Sequence, residues 1–154
     1  MGWVEIESRA DRYLTAIRFG KSAPPTAPTD LTAKALIQLR RYFQGKRGFL
    51  WKWPLFLQGS SFELQVWQYL RTIPWGHCQS YQDVADGIGR SKAARAVGNA
   101  LGKNPFPILI PCHRVIESSG KLGGFSPGVS LKAWLLTHEG VADLFPSTER
   151  FARR

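Results

Sequence analysis

The sequence predicts an α+β protein in which a small N-terminal lobe, a hairpin plus a helix, precedes a mainly helical C-terminal domain with a helix-turn-helix. Two observations lead to this fold class. Residues 3–8 and 13–20 alternate apolar and polar side chains around the polar turn "RAD", as hairpin strands do. Beyond residue 59, apolar side chains recur at helical spacing between serine caps and Gly or Pro stops. We therefore expect two domains, 1–58 with the linker and 59–154.

The composition is typical of a soluble protein with a positive surface. Of 154 residues, 44% are apolar, which is enough for one core or two small lobes. The sequence has neither an apolar run long enough to span a membrane nor a signal peptide, so we expect a cytoplasmic protein without a membrane partner. The formal charge of +10 favours a polyanion such as nucleic acid, although a basic membrane-surface protein or a basic housekeeping fold would show the same balance.

The cysteines and histidines argue against disulfides and metals. The two cysteines, Cys78 and Cys112, lack C-x-x-C spacing and are too few for a disulfide scaffold, which is typical of a reducing compartment. A structural zinc site would have to use nearly all of the three histidines. We therefore predict no metal.

In the N-terminal lobe, the proline-rich connection "KSAPPTAPTD" separates the hairpin from a helix. Apolar residues recur on one face of this helix, Asp30 is placed to cap it, and Gly45 follows its end. The run 46–61 is predicted as a linker with one short apolar strand.

The C-terminal domain begins with a serine-capped helix over 62–73. Ser80 then starts a short helix that ends at Ile88, and Ser91 caps a second helix that ends at Asn104. Two short helices joined by a glycine turn are typical of a DNA-binding helix-turn-helix. The second helix is rich in Ala and Gly, which permits close approach to DNA but equally suits tight packing inside a core.

The segment "PFPILIPCHRVI" predicts a buried strand interrupted by prolines, and a glycine loop, "ESSGKLGGFSPG", follows it. The last helix, "SLKAWLLTHEGV", is predicted to begin at Ser130 and to end at Gly140.

Cys112 is the candidate nucleophile. A thiol attacks only as the thiolate, which requires a base or positive surroundings. Neighbours on an extended strand point to opposite faces, so His113 reaches Cys112 only through a water or a bend at Pro111. Glu139 is placed to orient such a histidine. The alternative is that Cys112 is a small buried hydrophobic residue and that both His113 and Glu139 are structural.

Several segments resemble, in the right order, the O6-alkylguanine-DNA alkyltransferases, also called methylated-DNA–protein-cysteine methyltransferases. They are "FELQVWQYLRTIPWG", "SYQDVA", "KAARAVGNALGKNPFPILIPCHRV", "GGFSPG" and "LKAWLLTHEG". An ordered resemblance over residues 59–141 is far more specific than any single motif.

This resemblance implies a reaction and a role for each matching residue. Cys112 matches the alkyl acceptor, which takes the alkyl group from guanine O6 in one irreversible step. His113 matches the base that acts through a water, and Glu139 matches the acid that orients it. Tyr81 matches the donor to guanine N3. The resemblance implies a single-turnover enzyme that needs no cofactor.

The resemblance also implies how DNA is bound. Arg95 matches the arginine that takes the place of a flipped-out nucleotide, and the second helix, with Ala94 and Gly98, matches the element that enters the minor groove. Asn104 matches the asparagine that joins this helix to the active-site segment. The substrate pocket would include Pro107, Val115, Phe125 and Ser126.

The predicted function is therefore repair of O6-alkylguanine, and of O4-alkylthymine, in double-stranded DNA by a monomeric protein. Cooperative binding along DNA is left open. Alkyl-size preference is also open, because Phe125 stands where a tyrosine is usual and Pro127 where glycine is common. The alternatives are a non-catalytic relative that binds alkylated DNA, a helix-turn-helix regulator, and a cysteine hydrolase. Proteins of the first class usually have tryptophan at the position of Cys112.

Overall fold

The computed structural model describes residues 3–20, 27–47 and 52–141, and its architecture is the predicted mixture of α and β. Five helices, two two-stranded sheets and one 3-10 turn lie within these ranges. In chain order the elements are β1 (Trp3–Arg9), β2 (Tyr13–Gly20), α1 (Asp30–Phe43), α2 (Ser61–Leu70), β3 (Gln79–Ser80), α3 (Tyr81–Gly87), α4 (Ala94–Gly102), the 3-10 turn (Cys112–Arg114), β4 (Val115–Ile116) and α5 (Val129–His138). No described helix is both long and apolar enough to cross a bilayer.

The predicted hairpin is confirmed. β1 and β2 pair antiparallel, with a bulge between Glu7 and Ser8, and α1 packs against both strands. The predicted cap of α1 is wrong. Thr29 is the N-cap and exchanges hydrogen bonds with Thr32, whereas Asp30 lies in the first turn, where its carboxylate faces the positive end of the helix dipole.

The linker joins the hairpin instead of forming an independent strand. Leu14 donates its backbone N–H to the carbonyl of Pro54 at 2.9 Å, and Phe56 donates to the carbonyl of Leu14 at 2.8 Å. The prediction of a short strand is thus reduced to one isolated bridge, between Leu14 and Leu55. Residues 48–51 of the linker and residues 21–26 of the proline-rich connection lie outside the described residues.

The predicted pair of short helices is confirmed as α3 and α4, which pack against each other. Ser80 caps α3 as predicted and forms a capping box with Asp83. The predicted cap of α4 is wrong, because Ser91 lies in the preceding turn. Ala93 is the N-cap of α4, and its backbone N–H is bound to the carbonyl of Arg90 at 2.8 Å.

The segment before the glycine loop is buried from 106 to 116, as predicted, but it is not a strand. Pro107 and Pro111 withhold ladder donors there, and Ile108 turns the chain with a φ of +76°. Apart from an isolated bridge between Pro107 and Ile110, only β4 pairs within this segment, in parallel with β3. The start of α5 is also one residue earlier than predicted, since the helix begins at Val129 and Ser130 lies in its first turn.

One continuous hydrophobic cluster joins the two parts of the chain. From the N-terminal lobe it includes Leu14 and Leu39, and from the C-terminal part it includes Trp67 and Phe106. The Trp67 indole donates to the carbonyl of Ala100 at 2.8 Å, which fixes α2 to α4. The domain boundary near residue 59 stays a prediction. Cys112 belongs to this shared cluster, so both parts of the chain contribute to the core around it.

Candidate active site

A cleft of about 740 Å³ opens beside Cys112, between α4, the glycine loop and strand β2. Seven of the predicted site residues line it: Tyr81, Gly98, Asn104, Pro107, Cys112, Phe125 and Ser126. Ile17, Arg18 and Phe19 of β2 form part of its wall, which was not predicted. Nothing in the hairpin's alternating pattern distinguishes a strand that lines a cleft from one that only covers a core.

The thiol of Cys112 is buried, with 5% of the residue exposed. Asn104 directs its amide nitrogen to the Sγ atom at 3.1 Å and to the carbonyl of Ile110 at 2.8 Å, while its amide oxygen accepts from the N–H of Phe106 at 2.9 Å. Burial raises the pKa of Cys112 to about 11, although the hydrogen bond from Asn104 opposes the rise. The resting group at neutral pH is therefore the thiol, and a base has to remove its proton.

His113 has the chemistry that such a base needs. Its Nε2 atom lies 2.9 Å from Oε1 of Glu139, and both side chains are fully buried. Because an ionised carboxylate only accepts hydrogen bonds, Nε2 carries the proton and Nδ1 keeps its lone pair. Nδ1 has no hydrogen-bond partner among the described residues. Burial lowers the pKa of His113 despite the adjacent carboxylate, so the imidazole is neutral and Nδ1 is free to accept a proton.

Arg114 completes the buried network. Its Nε and Nη2 atoms donate to the two oxygens of Glu139, at 2.7 and 2.9 Å, and Nη1 donates to the carbonyl of Ile73 at 2.6 Å. Burial opposes ionisation of Glu139, but the hydrogen bonds from His113 and Arg114 outweigh it and lower the pKa to about 2. No role was predicted for Arg114, and its position directly after His113 is the only signal in the sequence.

The 3-10 turn makes this grouping possible. Of the two alternatives given for His113, a bridging water or a bend at Pro111, the bend is present, and the three residues that follow it, Cys112 to Arg114, are all buried. In a strand, alternate side chains would have pointed to opposite faces. The turn instead lets His113 and Arg114 bind the same carboxylate, Glu139, at the end of α5.

The glycine loop closes over Tyr81, the first residue of α3. Gly123 has a φ of +68°, and a Cβ atom there would lie 2.7 Å from the Tyr81 hydroxyl, so this position requires glycine. Lys132, which is fully buried, holds the loop by donating to the carbonyls of Leu122 and Gly124 at 2.5 and 3.2 Å. Sequence reasoning missed Lys132, because lysine at a helical position is usually exposed.

Besides His113 and Glu139, three predicted residues lie away from the cleft lining. Arg95 is exposed on α4, and Ala94 is half-buried at the start of that helix. Val115 is fully buried in β4. Ser126, in contrast, is fixed at the cleft by a hydrogen bond from its hydroxyl to the carbonyl of Gly102 at 3.1 Å.

The N-terminal lobe also reaches the buried carboxylate. Tyr42, near the end of α1, donates its hydroxyl to Oε1 of Glu139 at 2.6 Å. Chemically, the site combines a protonated thiol, a neutral histidine and an ionised carboxylate, which is the nucleophile, base and orienting acid of a displacement reaction.

Fold and site together define a helix-turn-helix protein with a buried cysteine at a cleft. Residues 61–141 match the family model of the "6-O-methylguanine DNA methyltransferase, DNA binding domain", and the chain belongs to this family.

Relatives agree along most of the chain. The structure of Mycobacterium tuberculosis OGT in complex with DNA superposes with a TM-score of 0.78 at 38% identity, over 94% of this chain and 89% of that one. The O6-methylguanine-DNA methyltransferase of Pyrococcus kodakaraensis gives a TM-score of 0.67 at 26% identity, over 90% of this chain and 98% of that one.

Two curated relatives are named methylated-DNA–protein-cysteine methyltransferase. The protein from Shigella flexneri is 47% identical over 103 residues, which cover 67% of this chain and 60% of the relative. The human protein is 51% identical over 87 residues, which cover 56% of this chain and 42% of the relative. The matches thus span less than two thirds of the length of these two relatives.

Proposed function

We propose that this protein repairs DNA by transferring the alkyl group of O6-alkylguanine to Cys112 in a single turnover. The observation that carries the proposal is the placement of the Cys112 thiol at a cleft, next in sequence to a neutral histidine that Glu139 fixes in one tautomer. Family membership and the names of the relatives support the same chemistry.

The transfer begins with removal of the thiol proton. His113 Nδ1 takes this proton through a bridging water, and the Sγ atom attacks the alkyl carbon in line with the bond to guanine O6. A sulfur–carbon bond forms as the carbon–oxygen bond breaks, and the electron pair of that bond passes to guanine. Tyr81 gives its proton to N3, so that guanine leaves neutral, and the proton that His113 took from the thiol then restores the Tyr81 hydroxyl. Because a thioether does not hydrolyse, each protein molecule reacts once.

The substrate must leave the base stack to reach the thiol. A guanine inside a duplex cannot enter the cleft, so the nucleotide is flipped out, and Arg95 takes its place in the stack. The small residues of α4, including Ala94 and Gly98, allow the helix to approach the floor of the minor groove. The +10 charge supplies attraction that does not depend on base sequence. Transfer from O4-alkylthymine would follow the same displacement.

Intact-protein mass spectrometry tests the reaction. After incubation with a duplex that contains one O6-methylguanine, we expect a mass gain of one methylene per protein, mapped to Cys112. The variant Cys112→Ala should show no gain but should still bind the duplex. A protein that binds the lesion without any gain would belong with the non-catalytic relatives, and binding to one operator sequence only would identify a regulator.

Flipping is tested by comparing two substrates. Arg95→Ala should slow transfer from duplex DNA by about tenfold or more, since the vacated stack is left unfilled at a cost of a few kcal/mol. Transfer from the free alkylated base should be unchanged. Equal slowing with both substrates would remove Arg95 from this role.

A further inference from the structure

The last turn of α1 reaches from the N-terminal lobe into the buried network around Glu139. Tyr42, which is 1% exposed, donates its hydroxyl to Oε1 at 2.6 Å although the two residues are 97 positions apart. The backbone carbonyl of Tyr42 accepts from Nε2 of His138 at 2.7 Å. Tyr42 is therefore bound to two consecutive residues at the end of α5.

The Tyr42 hydroxyl and His113 share one carboxylate oxygen. Oε1 of Glu139 accepts from Tyr42, from His113 Nε2 and from Arg114 Nη2, whereas Oε2 accepts from Arg114 Nε. Each donor draws off negative charge and fixes the plane of the carboxylate. Burial first, and then the charge of Glu139, raise the pKa of Tyr42, so its hydroxyl remains protonated and remains a donor.

We propose that Tyr42 is a positioning residue for alkyl transfer: its hydroxyl holds Glu139 in place and sets how strongly that carboxylate attracts His113. The N-terminal lobe thereby takes part in the chemistry as well as in the core. The effect on rate rests on the proposed function, but the effect on His113 can be measured without any substrate.

The titratable and charged groups around Glu139 and His113 come from several elements. They are Tyr42 on α1, Cys78 next to β3, Cys112 and Arg114 on the 3-10 turn, and Lys132 on α5, with His138 beside Tyr42. Replacing the Tyr42 hydroxyl alone leaves all the others unchanged. A change in His113 after that replacement therefore reports on Tyr42.

The first experiment removes the hydroxyl and keeps the ring. In Tyr42→Phe, Glu139 loses a donor and attracts the imidazolium form of His113 more strongly, so the pKa of His113 should rise by about half a unit to one unit. Imidazole NMR titration measures it, and the exposed His77 serves as an internal reference. Tyr69→Phe, which removes a tyrosine hydroxyl on α2, is the matched control and should leave His113 unchanged.

The second experiment strengthens the donor. With 3,5-difluorotyrosine at position 42, the ring and hydroxyl remain but the hydroxyl donates more strongly, so the pKa of His113 should move down instead of up. If Tyr42→Phe does not fold, this variant still shows whether the Tyr42 hydroxyl controls the pKa of His113.

Single-turnover transfer at a pH where His113 is neutral should fall about three- to thirtyfold in Tyr42→Phe, because the base is less well positioned. Duplex binding should not change.

The outcomes separate the two proposals. If the pKa of His113 moves as expected but neither protein transfers an alkyl group, the proposed function fails and the link between Tyr42 and His113 stands. If the rate falls while the pKa of His113 stays the same in both variants, Tyr42 only supports the fold and the inference is overturned. An unchanged rate with an unchanged pKa overturns it as well.

Discussion

Two arginine–carboxylate pairs in the described part of the chain have nearly equal length but opposite surroundings. In the N-terminal hairpin, Arg18 Nε lies 2.6 Å from Glu7, with side chains 64% and 39% exposed. In the C-terminal part, Arg114 Nε lies 2.7 Å from Glu139, with side chains 10% and 0% exposed. The distances alone would rank the pairs as equivalent. Burial separates them, because water screens the first pair and cannot replace a lost partner of the second.

Breaking each pair in turn should give the largest difference in stability. Arg114→Met leaves Glu139 buried without the two hydrogen bonds and the positive charge of Arg114, so we expect the free energy of unfolding to fall by about 3–5 kcal/mol. Arg18→Met removes an exposed partner and should cost at most about 1 kcal/mol. Urea denaturation at pH 7 measures both changes. Equal losses would mean that burial does not distinguish the pairs.

The buried pair should also make stability depend on pH. The pKa of Glu139 falls from 4.5 to about 2 on folding. As the pH drops, Glu139 is therefore protonated in the unfolded chain before it is protonated in the folded protein, which favours unfolding. The stabilisation is complete above pH 4.5, is lost as the pH falls toward 2, and amounts to about 3 kcal/mol. His113 also makes the protein less stable as the pH falls, but at higher pH than Glu139. Burial lowers the pKa of His113 below 6.5, so the unfolded chain is protonated first and stability declines as the pH falls below that value.

Denaturation curves at pH 7, 5 and 3 measure these losses. In Glu139→Gln, the additional loss between pH 5 and pH 3 should be smaller than in the unaltered protein, because the titrating group is gone. The same loss in both proteins would assign the acid sensitivity to other carboxylates.

Much of the C-terminal site could be predicted because its signals are local. Caps and glycine turns mark the helix pair, and Cys112 and His113 are adjacent in sequence. The 3-10 turn was missed because a short buried apolar run does not distinguish a strand from a turn. Tyr42 and Phe19 were missed for a different reason. Their roles arise only from contacts between distant parts of the chain, which no local pattern records.

Alkylation should loosen the C-terminal site and leave the hairpin unchanged. Cys112 is packed against the core and accepts from Asn104, so an added methyl group has to displace neighbours. Overpacking of this kind costs about 1–3 kcal/mol. Calorimetry after stoichiometric reaction should show a lower Tm, and amide exchange should increase in the glycine loop but not in β1 and β2. An unchanged Tm would contradict tight packing around the thiol.

The smallest expected effect concerns the wall that the N-terminal lobe contributes to the cleft. Phe19 on β2 is half-buried and lines the cleft, which the loop residue Phe125 also lines. Phe19→Ala should make room for a larger alkyl group, because the ring occupies space that a benzyl group would need. We expect the rate with O6-benzylguanine, relative to O6-methylguanine, to rise about three- to tenfold, within the range for small changes in pocket volume.

Phe56→Ala is the matched control for this prediction. Phe56 belongs to the same part of the chain and is packed beside Tyr13, with its ring centroid 6.3 Å away, but it does not line the cleft. Its loss should lower stability without changing the ratio of the two rates, which single-turnover assays on the two substrates measure. A ratio that rises only in Phe19→Ala would make the hairpin a determinant of substrate size. If the ratio stays constant in both variants, the selectivity of the cleft comes from the C-terminal residues alone, and Tyr42 becomes the one contribution of the N-terminal lobe to the chemistry that can still be tested.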